Sequence, residues 1–400
     1  MLSLIIIFAS INENLIEYYT GFSYLDETIG ILLFSLTISK VIVERKIWLI
    51  REEINILILL IILYLMGSLS TGIFNYQDNV LYGLLSGLFT VKSISSYFFV
   101  RIYFSNKIPS KIQLKKFLYL NEFMLYFVFL MSLLDRLFHL YPTDNVRFGI
   151  HTTALMFKHP TQLAFYTITL LLVCYFLRNY LLLKVNYFSL NFLFGCLVVL
   201  ITGRTKAIAF MLVLIFYLCI SPYINKIKIR YLITIIPILI YISWERIVTS
   251  LFGSGEARGV LYRTSLIIAR DHFPFGAGFA TFGTEFSRRK YSVIYSKYNI
   301  SNIWGLSKDN DNFITDTTWP AIIGETGYIG TLAMVLIFSN FFKMISKFKV
   351  TKNITISLVA FLVYVIFESI GESILMSSRG MTVFIILATF NNLILKSNTK

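Results

Sequence analysis

The sequence predicts an all-α protein that crosses a membrane many times, and three observations predict it. Of the 400 residues, 56% are hydrophobic and only 14% charged, where soluble domains carry about 25% charged residues. Mean hydropathy is +0.72. The apolar residues gather in twelve runs, and twelve spans of about 20 residues need roughly 240 residues, close to the apolar share of the chain. These values exclude a soluble globular enzyme, a disordered chain and a small disulfide scaffold. They leave one membrane domain over residues 1–400.

In order, the runs are 2–11, 27–43, 54–74, 79–100, 117–135, 161–178, 187–202, 205–221, 231–245, 319–342, 354–375 and 380–395. They are too long and continuous for barrel strands, so each reads as a helix. The first is short and has the length of a signal-peptide core. No small-residue cleavage site follows it in Ile11-Asn12-Glu13-Asn14, so it counts as a span. Cys174, Cys196 and Cys219 all fall inside runs, where a thiol is a small hydrophobe and neither a metal site nor a disulfide framework.

The connections alternate in charge. Segments 40–53, 101–116, 178–186, 222–230, 343–353 and 396–400 hold 20 basic residues against Glu44, Glu52 and Glu53. The opposite side opens with Glu13, Glu17, Asp26 and Glu27. By the positive-inside rule the first set is cytoplasmic. Both termini are then cytoplasmic, which requires an even number of spans, and twelve satisfies it. The net charge of +15 is spread between runs in this way and forms no single patch, which speaks against nucleic acid as a partner.

Two outer connections are longer: a smaller loop at 136–160 and a large extracytoplasmic loop at 246–318. Loops beyond about 15 residues are usually functional or disordered, and abundant aromatics argue against disorder. The large loop carries Arg246, Arg258, Arg263, Arg270, Arg288, Arg289, Lys290, Lys297 and Lys308. Taken singly these fit a solvated face balanced by Asp271, Glu285, Asp309 and Asp311. Taken together they fit a surface for a phosphate or pyrophosphate, which arginine grips bidentately.

Arg204 sits in Thr202-Gly203-Arg204-Thr205-Lys206, a tight break between two runs at the membrane boundary. A charge there faces a cavity with a task or snorkels to headgroups. Arg147 and Lys158 of the smaller loop point to the same level. The Gly-rich stretch from Asp271 to Gly283 lacks a βαβ setting, so it is no dinucleotide loop; it reads as a turn packing the loop on the membrane domain. From Asp316 to Gly330, Pro320 fits a first helical turn and Asp316 its positive end. Trp319 suits the interfacial belt. Gly324, Gly327 and Gly330 permit close helix contact, whereas Glu325 is an acid inside the span in need of a partner or a cavity.

Here the sequence resembles a known family. Arg258 with Tyr262, Asp271-His272 with Pro274, Phe275-Gly276-x-Gly278 and Glu325-x-Gly327-x-x-Gly330 resemble the O-antigen polymerase and ligase family. Gly203-Arg204 and Phe157-Lys158-His159-Pro160-Thr161-Gln162 are similar to two further family motifs. The resemblance covers roughly residues 145–345. It implies a GT-C-like membrane glycosyltransferase that moves a growing glycan from undecaprenyl pyrophosphate to a lipid-linked repeat unit, by inverting displacement at the outer leaflet of a bacterial inner membrane. A chain-length regulator and a flippase are the partners it implies, beside membrane lipid. In the ligase branch a His-Asn pair stands where this chain has Asp316-Thr317, which favours the polymerase branch.

On that footing Arg204, Arg258 and Arg147 are the candidates for holding the departing pyrophosphate. Asp316 is the candidate general base, although a helix N-terminus would keep it ionised and make it a weak one. Glu325 is the second catalytic candidate, with a structural role as its alternative. His159, Tyr291, Tyr295, Trp304 and Trp319 are the substrate-side candidates; the loop aromatics, Tyr298 among them, stack on sugars or pack the loop core. Pyrophosphate leaves well without a metal, no cofactor is implied, and His139, His151, His159 and His272 form no zinc pattern. The rival functions are a ligase and a transporter of lipid-linked saccharides. Internal repeats expected of a transporter are missing, and only Lys92, inside a run, favours it.

Overall fold

Backbone N–H and C=O groups in hydrocarbon must pair within their own segment, and each apolar run in the described residues does so as a helix. The computed structural model describes residues 25–77, 79–106, 109–141, 146–147, 149–183, 186–220 and 256–398. The expected spans 2–11 and 231–245, and Arg246, lie outside them. The first four helices are α1 (Leu25–Glu44), α2 (Arg51–Phe74), α3 (Val80–Tyr103) and α4 (Lys111–Phe138). A two-residue hairpin of β1 (Val146–Arg147) and β2 (Ile150–His151) follows. Next come α5 (Pro160–Tyr180), α6 (Asn186–Ile201) and α7 (Thr205–Ile220). The large loop holds α8 (Ala257–Asp271), α9 (Glu285–Arg289) and α10 (Val293–Lys297). The chain closes with α11 (Thr318–Lys347), α12 (Lys352–Ser369), a short 3₁₀ turn and α13 (Ser378–Asn398).

Among the described residues, seven helices are long and apolar enough to cross a membrane: α2, α3, α4, α5, α11, α12 and α13. The protein is therefore an all-α membrane-spanning chain. α5 is buried along nearly its whole length and sits among α4, α6, α7 and α12, while α11 packs along α2 and α13 along α3. On α2, Ile54, Ile58, Ile61, Leu65, Leu69 and Ile73 recur at spacings of three and four and are exposed. A stripe of that kind on a helix whose opposite side is packed is the side that meets lipid.

Among the described residues, Lys347 pairs with Glu52, Lys40 donates to the Ile102 and Tyr103 carbonyls and Asn353 to Asn179, so four basic connections meet at one end, while Gln77 and Tyr82, at the α2–α3 turn, bond to the large loop at the other. The charges at the basic end are locked by pairing. Glu53 Oε1 accepts from Arg101 Nε at 2.8 Å and from the Tyr97 hydroxyl at 2.6 Å. Arg101 also donates to Asn392 Oδ1 at 2.8 Å, tying α2, α3 and α13 together. Glu122 Oε1 does the same for α4, α5 and α6, accepting from Arg178 Nε at 2.5 Å and Asn191 Nδ2 at 2.9 Å. Removing one partner strands a buried charge, at a cost of about 3–5 kcal/mol. Glu53→Ala should lower the thermal unfolding midpoint in detergent accordingly; an unchanged midpoint would show that water reaches Arg101.

At the loop-rich end the chain turns back into the bundle. α11 is interrupted at Gly327, whose φ of 64° and ψ of −158° break the helical ladder. The carbonyls of Gly324 and Glu325 then accept from the Ala277 and Gly278 N–H groups at 2.8 and 3.0 Å. Irregular backbone within a bundle is tolerated only where protein re-satisfies it in this way. Phe279 of the same segment fills a slot between α2 and α3: a Cβ built on Gly67 or Gly87 would fall 2.3 or 2.5 Å from its ring. A Cβ on Gly276 would stand 2.4 Å from the Glu325 carbonyl carbon. Overpacking against backbone costs at least about 1–3 kcal/mol, so Gly276→Ala should reduce the yield of folded protein and its melting temperature. Wild-type stability would mean the segment is not held there.

Candidate functional site

Five connections at the loop-rich end converge on one cavity of about 570 Å³. It is lined by the cations Arg147, Arg204, Lys206 and Arg258 and by the acids Glu256, Asp316, Glu368 and Glu372, with His159, Trp304 and Phe313 among the rest. Each charged residue is presented at an element end. Arg147 lies on β1. His159 is the N-cap of α5, followed by Pro160 in the first turn, where a missing N–H is harmless. Gly203, with φ of 61°, ends α6 and sets Arg204 in the break before α7.

Arg204 is 9% exposed, and its Nη2 donates to His159 Nε2 at 2.9 Å. A guanidinium has no acceptor, so Nε2 must accept. Burial, then the Arg204 charge, push the His159 imidazole down to about 4. It is neutral at physiological pH and orients Arg204. Arg258, in the first turn of α8, donates from both Nε and Nη2 to Asp316 Oδ2, at 3.1 and 2.7 Å. Asp316 stands one residue before Thr317, the N-cap of α11.

Burial raises Asp316 above its ordinary value, and the Arg258 pairing only partly opposes it. The helix start, which would make it a weak base, is thus opposed by burial. Its carboxylate faces a guanidinium in a half-buried cavity, and desolvation outweighs the helix end.

The turn after α12 brings two further acids to the cavity. Glu368 is 2% exposed on the last turn of that helix. Burial works against the Glu372 carboxylate, yet Arg379, Lys206 and Arg258 together hold it below its ordinary value; Arg379 Nη2 lies 3.4 Å from it. Three side chains fix this turn: the Tyr262 hydroxyl donates to the Ile370 carbonyl at 2.7 Å, Thr318 Oγ1 to the Glu372 carbonyl at 2.8 Å, and Trp319 Nε1 to Ser369 Oγ at 2.9 Å. Glu256, Lys206, Glu368 and Glu372 were not picked out as site residues from the sequence. Glu368 and Glu372 read as the tail of an apolar run, although two acids four apart at a membrane boundary are a signal in their own right.

Of the sequence candidates, Arg147, Arg204, Arg258, His159, Trp304 and Asp316 line the cavity. Four do not. Glu325 is 1% exposed, and its Oε1 accepts from the Thr281 and Phe282 N–H groups at 3.0 and 3.2 Å and from Thr284 Oγ1 at 3.0 Å. It ties the loop to α11, the arrangement its structural alternative calls for. Tyr295 is fully buried, stacks on Phe282 and receives the Gly283 N–H at 2.9 Å. Tyr291 stacks on Tyr295 and donates to the Leu306 carbonyl at 2.7 Å. Both belong to the loop core, and Trp319 to the clamp on the 369–372 turn.

Lys92 pairs with Asp26 at 2.6 Å and Glu27 at 3.5 Å. The residue that favoured a transport path thus joins α3 to α1. Among the described residues no group of three or more His, Cys, Asp or Glu side chains is placed to hold a metal ion.

With four cations and four carboxylates lining it, the cavity has groups that can take an anion and groups that can take a proton. No protein-family model and no curated protein matches the chain.

Proposed function

We propose that the protein is a polysaccharide polymerase of the bacterial plasma membrane, an inverting glycosyltransferase that uses a polyprenyl-pyrophosphate-linked glycan as donor and a lipid-linked repeat unit as acceptor. The observation that carries this reading is the meeting of Arg147, Arg204, Arg258 and Asp316 in one cavity at the loop-rich end of the bundle, from positions that span 170 residues of sequence (147 to 316). The motif resemblance supplies the reaction, and the cavity supplies groups with the right charges. The basic connections gather at the other end, so the cavity faces away from the cytoplasm.

In this mechanism the acceptor hydroxyl attacks the anomeric carbon, the bond from that carbon to the pyrophosphate oxygen breaks, and the carrier pyrophosphate departs. Arg204, oriented by His159, takes the developing charge with Arg147 and Arg258. Asp316 accepts the hydroxyl proton. Because Asp316 and the incoming pyrophosphate compete for Arg258, donor binding draws the guanidinium away and leaves a more basic carboxylate in a half-buried site. The base is strongest when the donor is in place.

Deleting the gene and running the surface glycan on a gel tests the assignment. The expected result is loss of the ladder with a single repeat unit left on the cell. Long polymer retained on its lipid carrier would make the protein a ligase, and lipid-linked repeats trapped on the cytoplasmic leaflet would make it a transporter.

A further inference from the structure

The large loop is expected to stand in water, yet one of its helices is dressed for another solvent. α8 buries Val260, Leu261, Thr264, Ser265, Ile268 and Ala269, and it packs on α11. Its opposite face presents Arg263, Leu266, Ile267 and Arg270, all exposed. At 100° per residue these four fall on a single arc, with an arginine two turns from its fellow and the apolar pair between them. Phe273, two residues beyond the helix, is 73% exposed and lies against the Tyr328 ring, 5.8 Å between centroids. Below Tyr328, α11 exposes Leu332, Val335 and Leu336, the stripe it turns to lipid. The outward face of α8 is therefore continuous, through Phe273 and Tyr328, with the exposed apolar stripe of a membrane-spanning helix.

We propose that α8 lies in the lipid–water interface, with Leu266, Ile267 and Phe273 set into the acyl boundary and Arg263 and Arg270 reaching the phosphates of the surrounding phospholipid. An interfacial helix has this make-up, with cations flanking an exposed apolar pair, and arginine stems cover apolar surface while their heads stay at phosphate level. Arg270 also meets Asp271 at 3.4 Å, with the arginine side chain 75% exposed. That spacing leaves most of its donors facing outward. Charge and continuity together select phospholipid over a protein partner. The placement has a consequence at the other end of the helix: Arg258, in its first turn, is held at headgroup height, so the cavity mouth opens where a lipid-borne phosphate resides. The proposal rests on the chain spanning a membrane and is independent of the reaction assigned to the cavity.

The test uses full-length protein in which Cys196 and Cys219 are replaced by serine and one cysteine is introduced at Leu266→Cys, Ile267→Cys or Lys308→Cys. Each is labelled with an environment-sensitive dye and reconstituted in phosphatidylcholine–phosphatidylglycerol vesicles carrying a headgroup nitroxide. Leu266, Ile267 and Lys308 are all exposed, so none of the changes disturbs packing, and protein lacking an introduced cysteine supplies the background. The expected result is blue-shifted emission at 266 and 267 with quenching several-fold stronger than at 308. Water-like emission at 266 and 267, with quenching no greater than at 308, would overturn the proposal.

Discussion

Arg204→Ala is expected to lower polymer formation about 10²–10³-fold, the usual loss when one donor to a developing oxyanion is removed, while the protein inserts and melts as before. The expectation rests on position. The side chain is 9% exposed, held by His159 at 2.9 Å, and lines the cavity with Arg147 and Lys206. Arg204→Lys should recover only part of the loss, because an ammonium offers no planar fork to a pyrophosphate. In vitro polymerisation with purified lipid-linked repeats, beside a thermal melt of each variant, separates the two readouts. Normal chain length and yield from Arg204→Ala would remove the residue from the site and take the pyrophosphate assignment with it.

Asp316→Asn should be as damaging, about 10²–10⁴-fold, the range for a positioned general base. The amide keeps the shape and loses the capacity to accept the proton. The same residue sets the acid side of the pH profile. Only its deprotonated form serves, and its pKa is raised by burial against the opposing pull of Arg258. The rate should therefore decline as pH falls, with the decline beginning above the ordinary aspartate value of about 3.9. His159, pushed down to about 4, is neutral at physiological pH and adds no limb there. A pH–rate profile with no decline down to the ordinary aspartate value would return Asp316 to the role of partner for Arg258.

The helices were legible because hydrocarbon admits one solution for a long apolar run, and α2 and α11 lie where their sequences put them. The arginines were legible as well, since Arg204 interrupts two apolar runs and Arg258 stands in an otherwise unexplained cluster. What the sequence hid was who meets whom. Glu325 announces itself as a buried acid, but its partners at Thr281, Phe282 and Thr284 are reached only by a loop that folds back more than 40 residues. Tyr291 and Tyr295 are as suitable for a sugar face as for a core. Only the stacking on Phe282 and the bonds to Gly283 and Leu306 decide between them. Glu368 and Glu372 escaped because hydropathy averages them into the run they end.

The splice between the Gly-rich segment and the interrupted helix sets an order on biogenesis. Ala277 and Gly278 donate to carbonyls at positions 324 and 325, which leave the ribosome 47 residues later (277 to 324). At synthesis rates of about 5–20 residues per second the donors wait roughly 2–9 s for their acceptors. Phe279 has its slot at once, because α2 and α3 precede it. The segment is thus seated by its ring first and sealed by its backbone last, when α11 enters the bilayer. Ribosome-bound chains stopped before residue 324 should expose this segment to protease, and chains released after α11 should not.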